Sequence, residues 1–204
     1  MKYLEQIRQY MNKDTDISSH LDTIYIKTLE FNPKNIVELG VREGESSRVF
    51  SCVNDDIGSS VVGVDVTDCE YSFVKNGTFY KADDTVFHTF YENKYGKNID
   101  LLFIDTSHLY DHTVQEIKYW FPLLSQKAMI IFHDTNLNNV YLRKNGSVGA
   151  GWDNQRGVIR AIEEVFGVKF NEHIDFQYSC KLSDVNWKVV HEPLCNGLTI
   201  LYKN

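Results

Sequence analysis

The sequence has no apolar run long enough to span a bilayer, and this excludes a membrane-spanning helix as an organising element. It also lacks the charged-then-apolar start of a secretory leader, so a cytoplasmic location is the expectation. Only four cysteines occur, Cys52, Cys69, Cys180 and Cys195, widely spaced and with no C-x-x-C pair, which argues against a disulfide framework or a zinc ribbon. Basic charge is in deficit, with a formal net charge of -7. Because phosphate-backbone binding needs a basic surface, a nucleic-acid partner is not expected. Low-complexity tracts, internal repeats and interdomain linkers are missing too, and 204 residues suit one α/β domain spanning 1–204.

What the sequence does contain is a series of short apolar runs that stop at polar residues. Residues 1–31 carry apolar positions at helical spacing and read as a helical N-terminal extension, able to cover a sheet or to pair with another subunit in a homo-oligomer. It ends at Asn32-Pro33. Buried-strand runs follow at Asn35–Leu39, Val61–Asp65, Thr78–Lys81, Asp100–Asp105 and Ala128–Phe132. Helical patterns alternate with them over Ser46–Val53, Thr85–Tyr95, Tyr110 to about Leu124, and Val158–Phe166. Two late runs, Trp187–His191 and Leu198–Tyr202, read as an antiparallel edge hairpin joined through Pro193 and Asn196-Gly197. The fold class expected is α/β: a mostly parallel sheet with helices on both faces. Residues 136–156, rich in Asn and Gly, read as a loop and a candidate lid.

In such sheets ligands bind beyond the carboxyl ends of the strands. Here those ends carry Glu38, Asp65, Asp83, Asp105 and His133-Asp134. Gly40 and Gly44 bracket a tight strand-to-helix turn in which the backbone can approach a ligand. A dinucleotide fingerprint would need glycine where Arg42 stands, so a dehydrogenase fits poorly and a cofactor without phosphates fits better. Asp65 lies where a ribose-binding acid is expected, and Asp83, followed by Asp84, is positioned for an adenine amino group.

Glu38-x-Gly40-x-x-x-Gly44-x-Ser46, Asp65 and Ala82-Asp83-Asp84 resemble the cofactor motifs of Rossmann-like, S-adenosylmethionine (SAM)-dependent methyltransferases. The stretches Phe103–Tyr110, Trp120–Leu124 and Ile131–Thr135 are similar to a narrower group of small-molecule O-methyltransferases. That group includes macrocin- and rhamnosyl-type sugar methyltransferases and cephalosporin-hydroxylase-like proteins. The resemblance spans roughly residues 33–167 and implies a seven-stranded sheet, SAM as methyl donor, and a divalent metal on the acceptor hydroxyl. By that resemblance Asp105, His133 and Asp134 are the expected metal residues. The imidazole of His133 would turn the choice from Mg²⁺ toward Mn²⁺ or Fe²⁺.

Methyl transfer to an alcohol needs its proton removed, and His108, three residues beyond Asp105, is the candidate base, with Asp105 also catalytic. Tyr110, Trp152 and Arg156 are candidate contacts to a small hydroxylated acceptor. Two alternatives stand beside this reading. One is a methyltransferase acting on nucleic acid or protein, disfavoured by Asp105-Thr106-Ser107-His108 and by the acidic charge; the other is a non-catalytic SAM-binding protein.

Overall fold

Five parallel strands form the centre of the computed structural model, which describes residues 2–204. They are β1 (Asn35–Leu39), β2 (Ser60–Asp65), β3 (Thr78–Lys81), β4 (Ile99–Ile104) and β5 (Leu124–His133). β1, β4 and the second half of β5 are buried almost throughout, as a strand is when both of its faces are covered. The 136–156 region supplies β6 (Val140–Leu142) and β7 (Val148–Ala150), and the tail supplies β8 (Phe176–Leu182), β9 (Val185–Glu192) and β10 (Leu198–Lys203). The main sheet has eight strands in the order β3-β2-β1-β4-β5-β10-β9-β8.

Eight strands, rather than the seven implied by resemblance, follow from β8. Its residues alternate between half-buried and exposed, as an edge strand's do, so no continuous apolar run announces it. The β9–β10 hairpin is antiparallel as expected, but it is not the edge: β10 pairs with β5 on one side and β9 on the other.

Side chains alternate across the strands and so build two cores. Val37, Leu39, Leu102, Ile104, Ile130 and Phe132 face one side. There they meet Phe87 and Tyr91 of α4 (Asp84–Tyr95), Trp120 of α5 (Tyr110–Trp120), and Ile159 and Ile162 of α6 (Gly157–Phe166). Ile36, Leu101, Phe103, Met129 and Ile131 face the other side. Their partners are Ile7 of α1 (Leu4–Tyr10), Leu21 and Ile24 of α2 (Leu21–Phe31), and Val49, Phe50 and Val53 of α3 (Glu45–Ile57).

The N-terminal segment therefore covers the sheet. It is two helices rather than one, and the break between them carries Asp14, Thr15 and Asp16 toward the carboxyl ends of the strands. Among the described residues no helix is long and apolar enough to cross a membrane.

The 136–156 stretch is a hairpin rather than an irregular loop, with β6 and β7 paired antiparallel about a turn at Asn145-Gly146, where Gly146 has φ 84°. It is also tied down. Arg143 donates to the carbonyls of Asp14 and Thr15, and the Lys144 amide donates to Ser19 Oγ.

Candidate functional site

Strand order reverses between β1 and β4, and the crevice beyond their carboxyl ends is where a ligand fits. The turn after β1 passes so close to the start of the β4–α5 loop that a Cβ on Gly40 would lie 1.9 Å from the Asp105 carbonyl oxygen. Gly40 also has φ 84°, so both space and backbone conformation exclude a side chain. A cavity of about 360 Å³ opens here, lined by Gly40, Arg42, Asp65, Thr67, Asp84, Asp105, Thr106 and His112 among others.

The expected cofactor residues divide into those on this wall and those behind it. Gly40, Asp65 and Asp84 line the cavity, whereas Glu38, Gly44, Ser46 and Asp83 do not. Glu38 is fully buried and accepts from Ser46 Oγ at 2.5 Å and Ser47 Oγ at 2.6 Å, which ties β1 to the first turn of α3. Burial pushes its carboxyl up to about 8 despite those hydrogen bonds. Gly44 packs against Ser72, whose carbonyl oxygen would be 2.2 Å from a Cβ there.

Asp83 is the N-cap of α4, its Oδ1 accepting from the amide and hydroxyl of Thr85. That cap turns Asp83 away and presents Asp84, the next residue, to the cavity. Asp65 does stand at the wall, but its carboxylate is already engaged. Oδ2 accepts from the amides of Val41 and Arg42, and Oδ1 from the amide and hydroxyl of Thr67. Burial opposes its charge, yet these donors hold it below the usual carboxylate range. A carboxylate offers about four lone-pair directions, so a ribose hydroxyl would have to share or displace one of these donors.

The far end of the crevice gathers four residues. The Asp105 and Asp134 carboxylates and the His108 imidazole offer donor atoms within 4.8 Å of one another. His108 Nδ1 is 3.0 Å from Asp134 Oδ2 and 3.8 Å from Asp105 Oδ1. The strand ends at His133 and Asp134 takes a left-handed φ of 56°, which lets two consecutive residues turn to the same place. His108, also left-handed at φ 59°, does the same from the β4–α5 loop.

His133 departs from the expectation that it is a metal ligand. It is 1% exposed and lies behind the carboxylates, Nδ1 3.3 Å from Asp105 Oδ1 and 3.2 Å from Asp134 Oδ2. Nε2 faces the Cys195 carbonyl at 3.2 Å, which can only accept. Burial works against its charged form, but the two carboxylates outweigh this and hold the ring well above its ordinary value. Both nitrogens thus donate, and the open position belongs to His108. Burial likewise opposes charge on Asp134, but His133 and then His108 hold its carboxyl well below the usual range. Asp134 Oδ1 is buried and has no hydrogen-bond partner.

A second cavity of about 490 Å³ adjoins this cluster, lined by Asp16, Arg42, Thr106, His108, Asp134, Tyr141, Trp152 and Asn196 among others. Trp152 is 44% exposed, with its ring 6.2 Å from that of His108. Tyr110 lies instead in a neighbouring cavity beside Trp152, its hydroxyl donating to Glu164 and its ring covered by Arg160.

Arg156, expected to contact the acceptor, lines neither cavity. Its guanidinium is consumed by Glu163 and Glu172, at 2.8 Å and 2.6 Å, and by the Phe170 carbonyl. Those carboxylates are 2% and 6% exposed, and a buried acid needs a cation more than an acceptor pocket does.

The sequence pattern did not single out His112, Glu116, Asp16, Tyr141 or Asn196. His112 and Glu116 are spaced i, i+4 with Thr113 and Trp120 nearby, a signal for a polar pair on a half-buried face. Nothing local marked Asp16, Tyr141 or Asn196.

Residues 37–135 match a family model described as a methyltransferase domain. No curated protein matches in sequence. An O-methyltransferase from Bacillus cereus in complex with SAH is 14% identical with a TM-score of 0.60, over 100% of this chain and 91% of that one. CalS11, a TDP-rhamnose 3'-O-methyltransferase of calicheamicin biosynthesis, is 15% identical with a TM-score of 0.55, over 98% and 92%. MycE of the mycinamycin pathway, in complex with Mg, SAH and mycinamycin VI, is 14% identical with a TM-score of 0.54, over 91% of this chain. The chain spans only 54% of MycE's length in that structure and 34% in another. At these identities the likeness is one of fold.

Proposed function

We propose that this chain, residues 37–135 of which match a methyltransferase-domain model, is a SAM-dependent methyltransferase that transfers the methyl group to a hydroxyl of a sugar or other small molecule. One observation carries this reading: the Asp105–His108–Asp134 cluster stands on the seam between the two cavities. Asp105 lines the first, His108 and Asp134 line the second, and Thr106 lines both.

In this reading SAM occupies the first cavity, its backbone approach made possible by Gly40, with Asp84 rather than Asp83 as the acid on the adenine side. The acceptor occupies the second, with Trp152 against its apolar face. His108 Nδ1 lies 3.0 Å from Asp134 Oδ2, so in this reading the carboxylate orients the ring and leaves Nε2 to take the hydroxyl proton, the orientation logic of an acid–histidine pair.

Asp105 and Asp134 also fit a divalent cation, because two carboxylates meet there and the buried Oδ1 of Asp134 lacks a partner. A cation held there would supply Lewis acidity that lowers the hydroxyl pKa. The relatives bound to SAH, and MycE bound to Mg, support this choice by analogy of fold.

The test combines calorimetry and turnover. Asp134→Asn should leave SAH affinity unchanged while reducing SAH release with a responsive acceptor by roughly 10²–10⁴-fold. Wild-type turnover in this variant would sink the site. Activity that survives EDTA would remove the cation and leave the transferase reading intact.

A further inference from the structure

A second polar group, Asp84, His112 and Glu116, stands in and behind the wall of the cofactor-side cavity, and the methyl-transfer reading gives His112 and Glu116 no task. Asp84 opens α4, while His112 and Glu116 are one turn apart on α5 and so share a face. His112 Nε2 lies 3.2 Å from Asp84 Oδ1 and 3.6 Å from Glu116 Oε1. The three residues offer donor atoms that all fall within 4.8 Å of one another. None of them belongs to the Asp105–His108–Asp134 cluster.

Glu116 makes this group more than an ion pair. It is 0% exposed, deep behind the cavity wall. Oε1 accepts from Thr106 Oγ1 at 2.6 Å, but the buried Oε2 has no hydrogen-bond partner among the described residues. A buried carboxylate oxygen with no donor is costly, and a second acid beside it raises the cost. A positive charge set between the two carboxylates removes both penalties. Two oxygens and one imidazole nitrogen form a donor set for Mn²⁺, Fe²⁺, Co²⁺ or Zn²⁺ rather than for Ca²⁺ or Mg²⁺. Asp84 and His112 face the cavity, so the open side of such an ion would take water or a cofactor group.

We propose that Asp84, His112 and Glu116 form a second divalent-cation site in the inner wall of the cofactor-side cavity, selective for imidazole-accepting metals. Its role is to fix α4 against α5 where the cofactor's base end would rest. The site itself rests on its own three residues; only that role depends on the cofactor reading. The competing occupant is a proton, carried on His112 Nε2, which already faces both carboxylates, or shared by Asp84 and Glu116.

Metal-stripped full-length protein titrated with Mn²⁺, with the free ion followed by electron paramagnetic resonance, separates these cases. The key sample is Asp134→Asn, which disables the other cluster. It should still bind one equivalent, and that equivalent should disappear in the D134N/H112A double variant. Glu116→Gln, nearly isosteric and the safer variant for folding, should weaken the same equivalent by roughly tenfold or more, with circular dichroism reporting an intact fold.

If Asp134→Asn binds no ion, or if its ion is held equally well after H112A or E116Q, the group holds a proton and the proposal falls. An ion lost in H112A but kept in D134N would uphold this site even were the cation of the other cluster disproved.

Discussion

The two cavities that meet at Asp105 are built in opposite ways. The cofactor-side wall comes from consecutive strand ends, each residue delivered by the strand just before it: Gly40 by β1, Asp65 by β2, Asp84 through the cap after β3, and Asp105 by β4. The acceptor-side wall draws Asp16 from the break between α1 and α2, Tyr141 and Trp152 from the hairpin region, and Asn196 from the β9–β10 turn. Its pieces are pinned by long-range bonds, such as Arg143 to Thr15 and the Cys195 thiol to the Asp16 carbonyl at 2.7 Å. A parallel sheet forces its strand ends together whatever the side chains, whereas a wall of loops exists only once the loops have found each other.

Breaking the first wall should cost most. Gly40→Ala meets a carbonyl at 1.9 Å in a left-handed backbone, so it should lose roughly 3 kcal/mol or more of stability. Cofactor affinity should fall with it, read by thermal melting and calorimetry; a variant with wild-type melting would refute the close approach.

Glu38→Gln tests the same wall through pH. The folded carboxyl keeps its proton up to about 8, while the unfolded chain releases it near the ordinary glutamate value of 4.5. Stability should therefore decline as pH rises through that window and level off above it, by up to roughly 1.4 kcal/mol per pH unit. Glu38→Gln should flatten that slope in denaturant titrations, and an unchanged slope would contradict the buried neutral acid.

Away from both walls, Arg156→Ala strands Glu163 and Glu172. The loss should be roughly 1–2 kcal/mol, less than the roughly 3–5 kcal/mol of a fully buried pair, because the guanidinium is 39% exposed. Acceptor KM should not move; a rise would return Arg156 to the acceptor site.

The smallest effect is expected from Trp152→Ala. Acceptor KM should rise roughly fivefold, about 1 kcal/mol of lost aromatic contact, with SAH affinity unchanged. A change confined to SAH affinity would mean that the two cavities have been assigned the wrong way round.

The contrast between the walls also explains what could be read in advance. Apolar runs ending in acids reveal the central strands, because a strand buried on both faces must be apolar and its end must turn into solvent. The positions of Gly40, Asp65, Asp105 and Asp134 follow from that. β8 was not legible, since an edge strand needs only one buried face and its residues alternate weakly. The β6–β7 pair was hidden for a similar reason: three-residue strands leave no period to detect.

By itself, then, the sequence determined the order of strands and helices, the glycine turn and the acidic strand ends, all of them consequences of local pattern. The tertiary structure decided which neighbour in each pair faces a cavity. Asp84 rather than Asp83 faces the cavity because a cap hydrogen bond turns Asp83 away. His108 rather than His133 is open because the Cys195 carbonyl, sixty-two residues from His133, occupies its far nitrogen. Arg156 is withdrawn from the acceptor by two acids that α6 and the segment after it bury beside it. A side chain's direction is settled by the partners that packing brings to it, and those partners are remote in sequence.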